Sequence, residues 1–203
     1  MKKGKIAIDI DDVLADSTES LRLLVNKRLS ISLPKSAYRV PGRYWGYYER
    51  VWSEHGIAGQ LDFKALNQEM EIDQSHVPVM ANAQYAVHEL VKDFHIVFVT
   101  SRDASWEKAT KRWLHEQFGD ENVEVYFCES HKNEAAKSKG EICKDLGADL
   151  LIDDNPSHCQ SATDEGIATI LFGEYGWHQD AEEDAVRCKD WPSVVEYVYE
   201  WAR

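Results

Sequence analysis

Three short apolar runs in this chain break off abruptly into charged or hydroxyl side chains, and that repetition limits the folds open to it. Ile6-Ala7-Ile8 runs into Asp9, Asp11 and Asp12; Ile96-Val97-Phe98-Val99 runs into Thr100-Ser101-Arg102; Leu150-Leu151-Ile152 runs into Asp153-Asp154-Asn155. A short Ile/Val/Leu-rich run bounded by polar residues reads as a buried strand. In an open α/β sheet the ends of parallel strands face one crevice, where ligands bind at the topological switch point. The three runs therefore predict strand ends that converge. Carboxylates crowded at such an end repel one another unless a proton or a cation holds them, and Mg2+, with its preference for hard oxygen ligands, is the simplest resolution. For any one Asp, a helix cap or a solvated turn is the better explanation. Recurrence at three strand ends weakens it.

The remaining pattern alternates strands with helices. A first strand is expected over Lys5 to Ile10, followed by a helix from Ser17 or Thr18 with Leu21, Leu24 and Val25 at helical spacing. Ala81 to Asp93 and Trp106 to Phe118 read as amphipathic helices, the second stopped by Gly119. Val123 to Cys128, Asp149 to Ile152 and Ala168 to Phe172 read as further strands, Lys139 to Leu146 as a helix, and Trp191 to Arg203 as a closing helix. The fold class expected is α/β, a doubly wound Rossmann-like parallel sheet. A parallel crossover needs only about a dozen residues. The far longer interval between Asp9 and Ile96 must then hold an inserted module, expected over residues 17–78, with Asp73-Gln74-Ser75 and Pro78 marking the return. The core is expected over residues 1–16 and 79–203.

Composition narrows the function. The 203 residues suffice for one core and a small module, and the net charge of −13 repels polyanions, which argues against a nucleic-acid polymer as partner. A small nucleotide held by a metal stays compatible. No run reaches the roughly 18 apolar residues that span a bilayer. The basic start, Lys2 to Lys5, precedes an apolar stretch that Asp9 cuts too short for a secretion signal, so a cytoplasmic protein without membrane contact is expected. Cys128, Cys143, Cys159 and Cys188 show no Cys-x-x-Cys spacing and are expected to be buried thiols. The oligomeric state stays open, a homodimer included.

Asp9-Ile10-Asp11-Asp12-Val13-Leu14 resembles the first motif of the haloacid-dehalogenase-like (HAD) phosphohydrolases, an Asp-x-Asp-x-Val/Thr pattern behind an apolar strand. Thr100 resembles the second motif, Lys139 the third and Asp153-Asp154 the fourth, all in the family's order. Within the superfamily, the segments around these motifs look most like the 5'(3')-deoxyribonucleotidase group. The resemblance implies a Mg2+-dependent phosphomonoesterase with a helical cap over the crevice, its partner a small phosphorylated metabolite and a deoxyribonucleoside monophosphate in particular. A sugar-phosphate phosphatase of the same fold and a non-catalytic phosphate-binding module remain as alternatives.

By the same resemblance Asp9 is the nucleophile that becomes an aspartyl-phosphate, and Asp11 gives a proton to the leaving alkoxide and takes one from water. Side chains at i and i+2 of an extended segment point to the same side, so both carboxylates can address one phosphorus. The metal falls to the Asp9 carboxylate, the Asp11 main-chain carbonyl and Asp153 or Asp154, both of which remain candidates. Thr100, Ser101 and Lys139 are the expected phosphate contacts; Lys139 is preferred over Lys137, Lys132 and Lys144 because it opens the helix leading to the Asp pair. Arg102 could reach substrate, although a surface salt bridge explains it equally well. Asp12 stands where many relatives carry Gly and is open to a capping role. Asn155 stands where some relatives place Arg.

Six of the fifteen residues from Tyr38 to Trp52 are aromatic. Stacking on a nucleobase is worth about 1 to 3 kcal/mol. Tyr44, Tyr48 and Trp52 fall at i, i+4 and i+8, a stripe expected to form the core of the insert. Trp45 and Tyr47 lie off that stripe and are the expected base contacts.

Overall fold

The computed structural model describes residues 2–119, 124–128, 136–182 and 185–203. Among them, six strands form one sheet: β1 (Lys5–Ile8), β2 (His95–Thr100), β3 (Val125–Phe127), β4 (Leu150–Asp153), β5 (Ala168–Phe172) and β6 (Arg187–Cys188). Their order is β3-β2-β1-β4-β5-β6, and every pairing is parallel. The helices are α1 (Ser17–Leu29), α2 (Tyr47–Glu54), α3 (Phe63–Ile72), α4 (Ala83–Asp93), α5 (Glu107–Phe118), α6 (Lys139–Asp145), α7 (Pro156–Asp164) and α8 (Trp191–Trp201).

Successive strand residues point to opposite faces, and both faces are covered. Ile6, Ile8, Phe98, Leu150 and Ile152 pack with Leu90 of α4, Trp113 of α5 and Trp191 of α8. Ala7, Val97, Val99 and Leu151 pack on the other face with Cys143 of α6 and Ala162 of α7. The expected doubly wound sheet is therefore present. The chain steps outward from β1 to β2 and β3, then returns to the far side of β1 for β4. This reversal sets the ends of β2, β1 and β4 side by side.

Between β1 and α4 the chain forms α1, α2, α3 and two 3-10 turns at Lys35–Arg39 and Ala58–Gln60. These share a hydrophobic cluster that includes Leu21, Val25, Val51, Trp52, Leu66 and Met70. Departure and return lie side by side: the Asp16 N–H donates to the Pro78 carbonyl at 2.8 Å, and Ala15 forms an antiparallel bridge with Val79. The Asp16 carboxylate caps α1 by accepting from the Glu19 N–H, and Lys27 and Arg28 sit in its last turn, both favourable to the helix dipole.

Two elements were not anticipated. α7 buries only Cys159 and Ala162, side chains too small to print an apolar period, although Asn155 caps it and Pro156 opens it. β6 has two residues, below the length at which alternation shows. The third strand is shorter than expected, beginning at Val125; Val123 lies outside the described residues. The four cysteines are buried. Among the described residues, no helix is long and apolar enough to cross a membrane.

Candidate active site

The acidic cluster is built by the register of three neighbouring elements. Ladder pairing continues one residue past β1, the Asp9 N–H donating to the Ile152 carbonyl at 2.9 Å, so Asp9 is held beside the end of β4. Lys139, the first residue of α6, reaches both: its Nζ lies 2.8 Å from Asp9 Oδ1 and 2.6 Å from Asp153 Oδ2. α6 can come this close because it meets α7 at Gly140, where a Cβ would stand 2.0 Å from the Ser161 carbonyl oxygen. Asp9, Lys139, Asp153 and Asp154 are all buried. Lys137, by contrast, is exposed and paired with Asp145, while Lys132 lies outside the described residues.

Asp9, Asp153 and Asp154 each offer an oxygen, and the three lie within 4.8 Å of one another. Burial and the neighbouring charges of Asp153 and Asp11 push the Asp9 carboxyl up to about 7, against the pull of Lys139. Burial and the charges of Asp153 and Asp9 likewise raise Asp154. Asp153 moves the other way: burial opposes ionisation, but Lys139 and His158 outweigh it and hold the carboxyl below the usual range. Three carboxylates against one ammonium leave a negative surplus in a dry site, which a divalent cation would cancel. The residues therefore fit a hard metal ion.

Asp153 and Asp154 are held differently. Asp153 Oδ1 accepts from the Asn155 N–H at 2.9 Å and lies 3.2 Å from His158 Nδ1, and Oδ2 is taken by Lys139. Asp154 Oδ2 accepts from the Trp177 indole N–H at 3.0 Å, and its main-chain carbonyl accepts from Trp177 and from His178 Nε2, at 3.1 and 2.7 Å. His158, Trp177 and His178 went unread in the sequence because they sit in the unanticipated α7 and in the loop after β5.

Asp11 faces the cavity rather than the acid cluster, its side chain 35% exposed. It forms a two-pronged pair with Arg102, Nε to Oδ2 at 2.8 Å and Nη2 to Oδ1 at 2.7 Å, and accepts from the Ser17 hydroxyl at 2.5 Å. Burial works against its charge, but the Arg102 guanidinium outweighs burial and holds the carboxyl below the usual range. Arg102 is buried rather than at the surface, yet it borders the cavity, and its Nη1 also donates to Gln74 and Thr110. The Thr100 hydroxyl, fully buried, accepts from the Arg102 N–H at 3.2 Å. Ser101 Oγ lies 3.4 Å from His158 Nε2.

Asp12 is buried, with a left-handed φ of 55°. Its carboxylate accepts from the Thr18 N–H at 2.9 Å and the Thr18 hydroxyl at 2.8 Å, so it serves the start of α1. The Asn155 side chain accepts from the Ser157 N–H at 2.9 Å and caps α7.

Over Asp11 opens a cavity of about 740 Å³ whose walls include Tyr44, Trp45, Tyr48, Phe63 and Trp106. The division between core and cavity departs from the expected stripe because α2 begins only at Tyr47, so Tyr44 precedes the helix. Tyr44 and Tyr48 are half-buried cavity walls, and Trp52 is buried. Tyr47 borders the cavity but is 2% exposed, donates its hydroxyl to the Val40 carbonyl at 2.8 Å and packs its ring against Trp177. Trp45 is 68% exposed, edge-on to Tyr44.

Comparison of the sequence with protein-family models and with curated proteins finds no match. The fold is shared by solved structures at low identity. A haloacid dehalogenase-like protein of unknown function from Agrobacterium tumefaciens is 16% identical, with 98% of this chain and 99% of that one covered and a TM-score of 0.63. A predicted phosphoglycolate phosphatase from Haemophilus somnus is 14% identical over 98% and 99% of the two chains, TM-score 0.62. A HAD-hydrolase from Bacillus subtilis, bound to magnesium, is 13% identical over 100% of both, TM-score 0.62. The chain has a HAD-like Rossmann-type fold.

Proposed function

We propose that this protein is a Mg2+-dependent phosphomonoesterase of the HAD type acting on a small phosphorylated metabolite. The observation that carries the reading is the bridge of Lys139 between Asp9 and Asp153, which joins three motif positions far apart in sequence into one buried, acid-rich site. The magnesium and the phosphatase names of the fold neighbours support it.

Asp9 is the nucleophile. Its carboxylate oxygen attacks phosphorus as the ester P–O bond breaks, giving an aspartyl-phosphate and an alkoxide that takes a proton from Asp11. Water then attacks phosphorus, gives its proton to Asp11, and the Asp9–phosphate bond breaks. Arg102 holds Asp11 ionised, the form that accepts the water proton; donation in the first step requires Asp11 to be protonated and this pair loosened. Lys139 and Thr100 serve the phosphoryl group. Asp9, Asp154, Asp153 and the Asp11 carbonyl would hold Mg2+, which supplies charge neutralisation of the phosphoryl oxygens when bound.

Residues 17–78 are the cap, and their cavity selects the substrate. A small-metabolite phosphatase, acting on a sugar phosphate or a 2-phospho acid, agrees best with the phosphoglycolate phosphatase and beta-phosphoglucomutase names among the fold neighbours. The aromatic walls support a second, finer reading, a nucleoside monophosphate whose base packs against Trp45 and Tyr44. Phosphate release with Mg2+ across sugar phosphates, 2-phospho acids, deoxyribonucleotides and a nitrophenyl ester tests both. Mg2+-dependent turnover of at least one monoester is expected. Tight binding of monoesters with no release would leave a phosphate-binding module and overturn the enzyme.

A further inference from the structure

Trp177 stands where the aromatic packing of the insert meets the acid cluster. It follows β5 in sequence, yet its 2%-exposed ring belongs to the hydrophobic cluster of residues 17–78. The ring lies 5.0 Å from that of Tyr47 and 5.8 Å from that of Tyr44, and stacks on Tyr175 at 4.5 Å with a 2° tilt. Its backbone is anchored to the insert as well: the Gly42 N–H donates to the Gly176 carbonyl at 2.8 Å. A Cβ on Gly176 would stand 2.1 Å from the Val40 carbonyl oxygen and 2.3 Å from the Tyr47 hydroxyl, so only glycine permits this approach. On its polar edge the indole N–H donates to both the carboxylate and the carbonyl of Asp154.

We propose that Trp177 is a positioning residue that fixes the Asp154 carboxylate for the metal and makes its orientation depend on how the insert is packed. The inference rests on the metal reading above. Asp153 is held by Lys139, Asn155 and His158, all from the sheet side. Among the described residues, the Asp154 carboxylate takes its hydrogen bond from Trp177. A donor on one carboxylate oxygen restricts the rotation of the group and so directs the other oxygen. Tyr44 and Tyr48, which border the substrate cavity, belong to the same aromatic array. Occupancy of the cavity and order at Asp154 are thereby linked.

The test is Mg2+ affinity measured by titration calorimetry without substrate. W177F keeps a ring in place and removes the N–H; its affinity should fall by about 10- to 100-fold, the usual effect of losing a hydrogen bond to a metal ligand. W113F is the control, because the buried Trp113 indole donates to the Val77 carbonyl instead of a carboxylate; it should bind Mg2+ like the wild type. Y47L tests the link to the insert, and a weakening of roughly threefold to tenfold is expected although Tyr47 contacts none of the carboxylates. In 15N spectra of the wild type, the indole N–H resonance lost in W177F should move when Mg2+ is added. Unchanged affinity in W177F overturns the positioning role, and should that variant not fold, unchanged affinity in Y47L overturns the link. Wild-type protein that binds no Mg2+ removes the metal reading itself, and this inference with it.

Discussion

The acid cluster and the cavity above it are organised in opposite ways. At the strand ends three carboxylates are buried and tied to donors fixed at a helix start: Asp9 to Lys139, Asp153 to Lys139 and Asn155, Asp12 to Thr18. In the cavity the walls are aromatic faces, and Trp45 is mostly exposed. One region is an electrostatic device whose groups tolerate little displacement. The other is a shaped surface that contacts by area. On the proposed function, chemistry lies with the sheet and selection with the insert, and substitutions in the two regions should fail in different ways.

The largest expected effect is in the cluster. D9N should lower turnover by roughly a thousandfold or more with every substrate, the scale on which removing a covalent nucleophile acts. Uneven losses across substrates would blur the contrast. Lys139→Met comes next, since it removes the ammonium and leaves Asp9 and Asp153 facing each other; stability should drop by about 3 to 5 kcal/mol, read from denaturant unfolding. A loss below about 1 kcal/mol would show that the pair is not the structural centre of the site.

Metal and proton compete in the same cluster. The folded-state value of Asp9, about 7, lies above its ordinary 3.8. In the metal-free protein its contribution to stability is therefore fully present below 3.8 and is lost as pH rises through 7. Mg2+ must displace that proton, so the rise in Tm on adding Mg2+ should be absent near pH 4 and grow through pH 7. At a hundredfold excess over Kd the gain approaches about 2.7 kcal/mol. Thermal melts with and without Mg2+ across this range check the sign; an equal shift at pH 4 and pH 8 would place the ion elsewhere.

The smallest effect belongs to the cavity. Trp45→Ala should weaken kcat/KM for a nucleotide by about 1 to 3 kcal/mol and leave a nitrophenyl ester untouched if the ring packs on a base. Equal losses would make Trp45 a structural element of the insert, and loss with neither would favour a sugar phosphate.

The two regions also differ in how far the sequence exposes them. Sheet and cluster are legible because each apolar run stops at an acidic or hydroxyl side chain, and parallel register then sets Asp9 beside Asp153, with Thr100 one residue farther along β2. Lys139 could be chosen because it opens a helix feeding β4. The insert is less legible: α2 begins only at Tyr47 and buries Tyr47, Val51 and Trp52, so Tyr44 precedes the helix, and Tyr48, about 100° around from Tyr47, lines the cavity. Between a substrate contact and a surface salt bridge the sequence leaves Arg102 open, because its partners, Asp11 and Gln74, meet it only through tertiary packing. Trp177 gave no signal at all, standing in a 3-10 turn without periodicity.

The identity of the phosphorylated residue is the most direct test of the chemistry. Enzyme turning over a labelled monoester with Mg2+ should be quenched in acid, digested and mapped by mass spectrometry, with D9N in parallel. Phosphate is expected on the peptide carrying Asp9, at the Asp9 carboxylate, and nowhere in D9N. Turnover with phosphate on another residue, or equal labelling of D9N, would contradict a nucleophile at the end of β1.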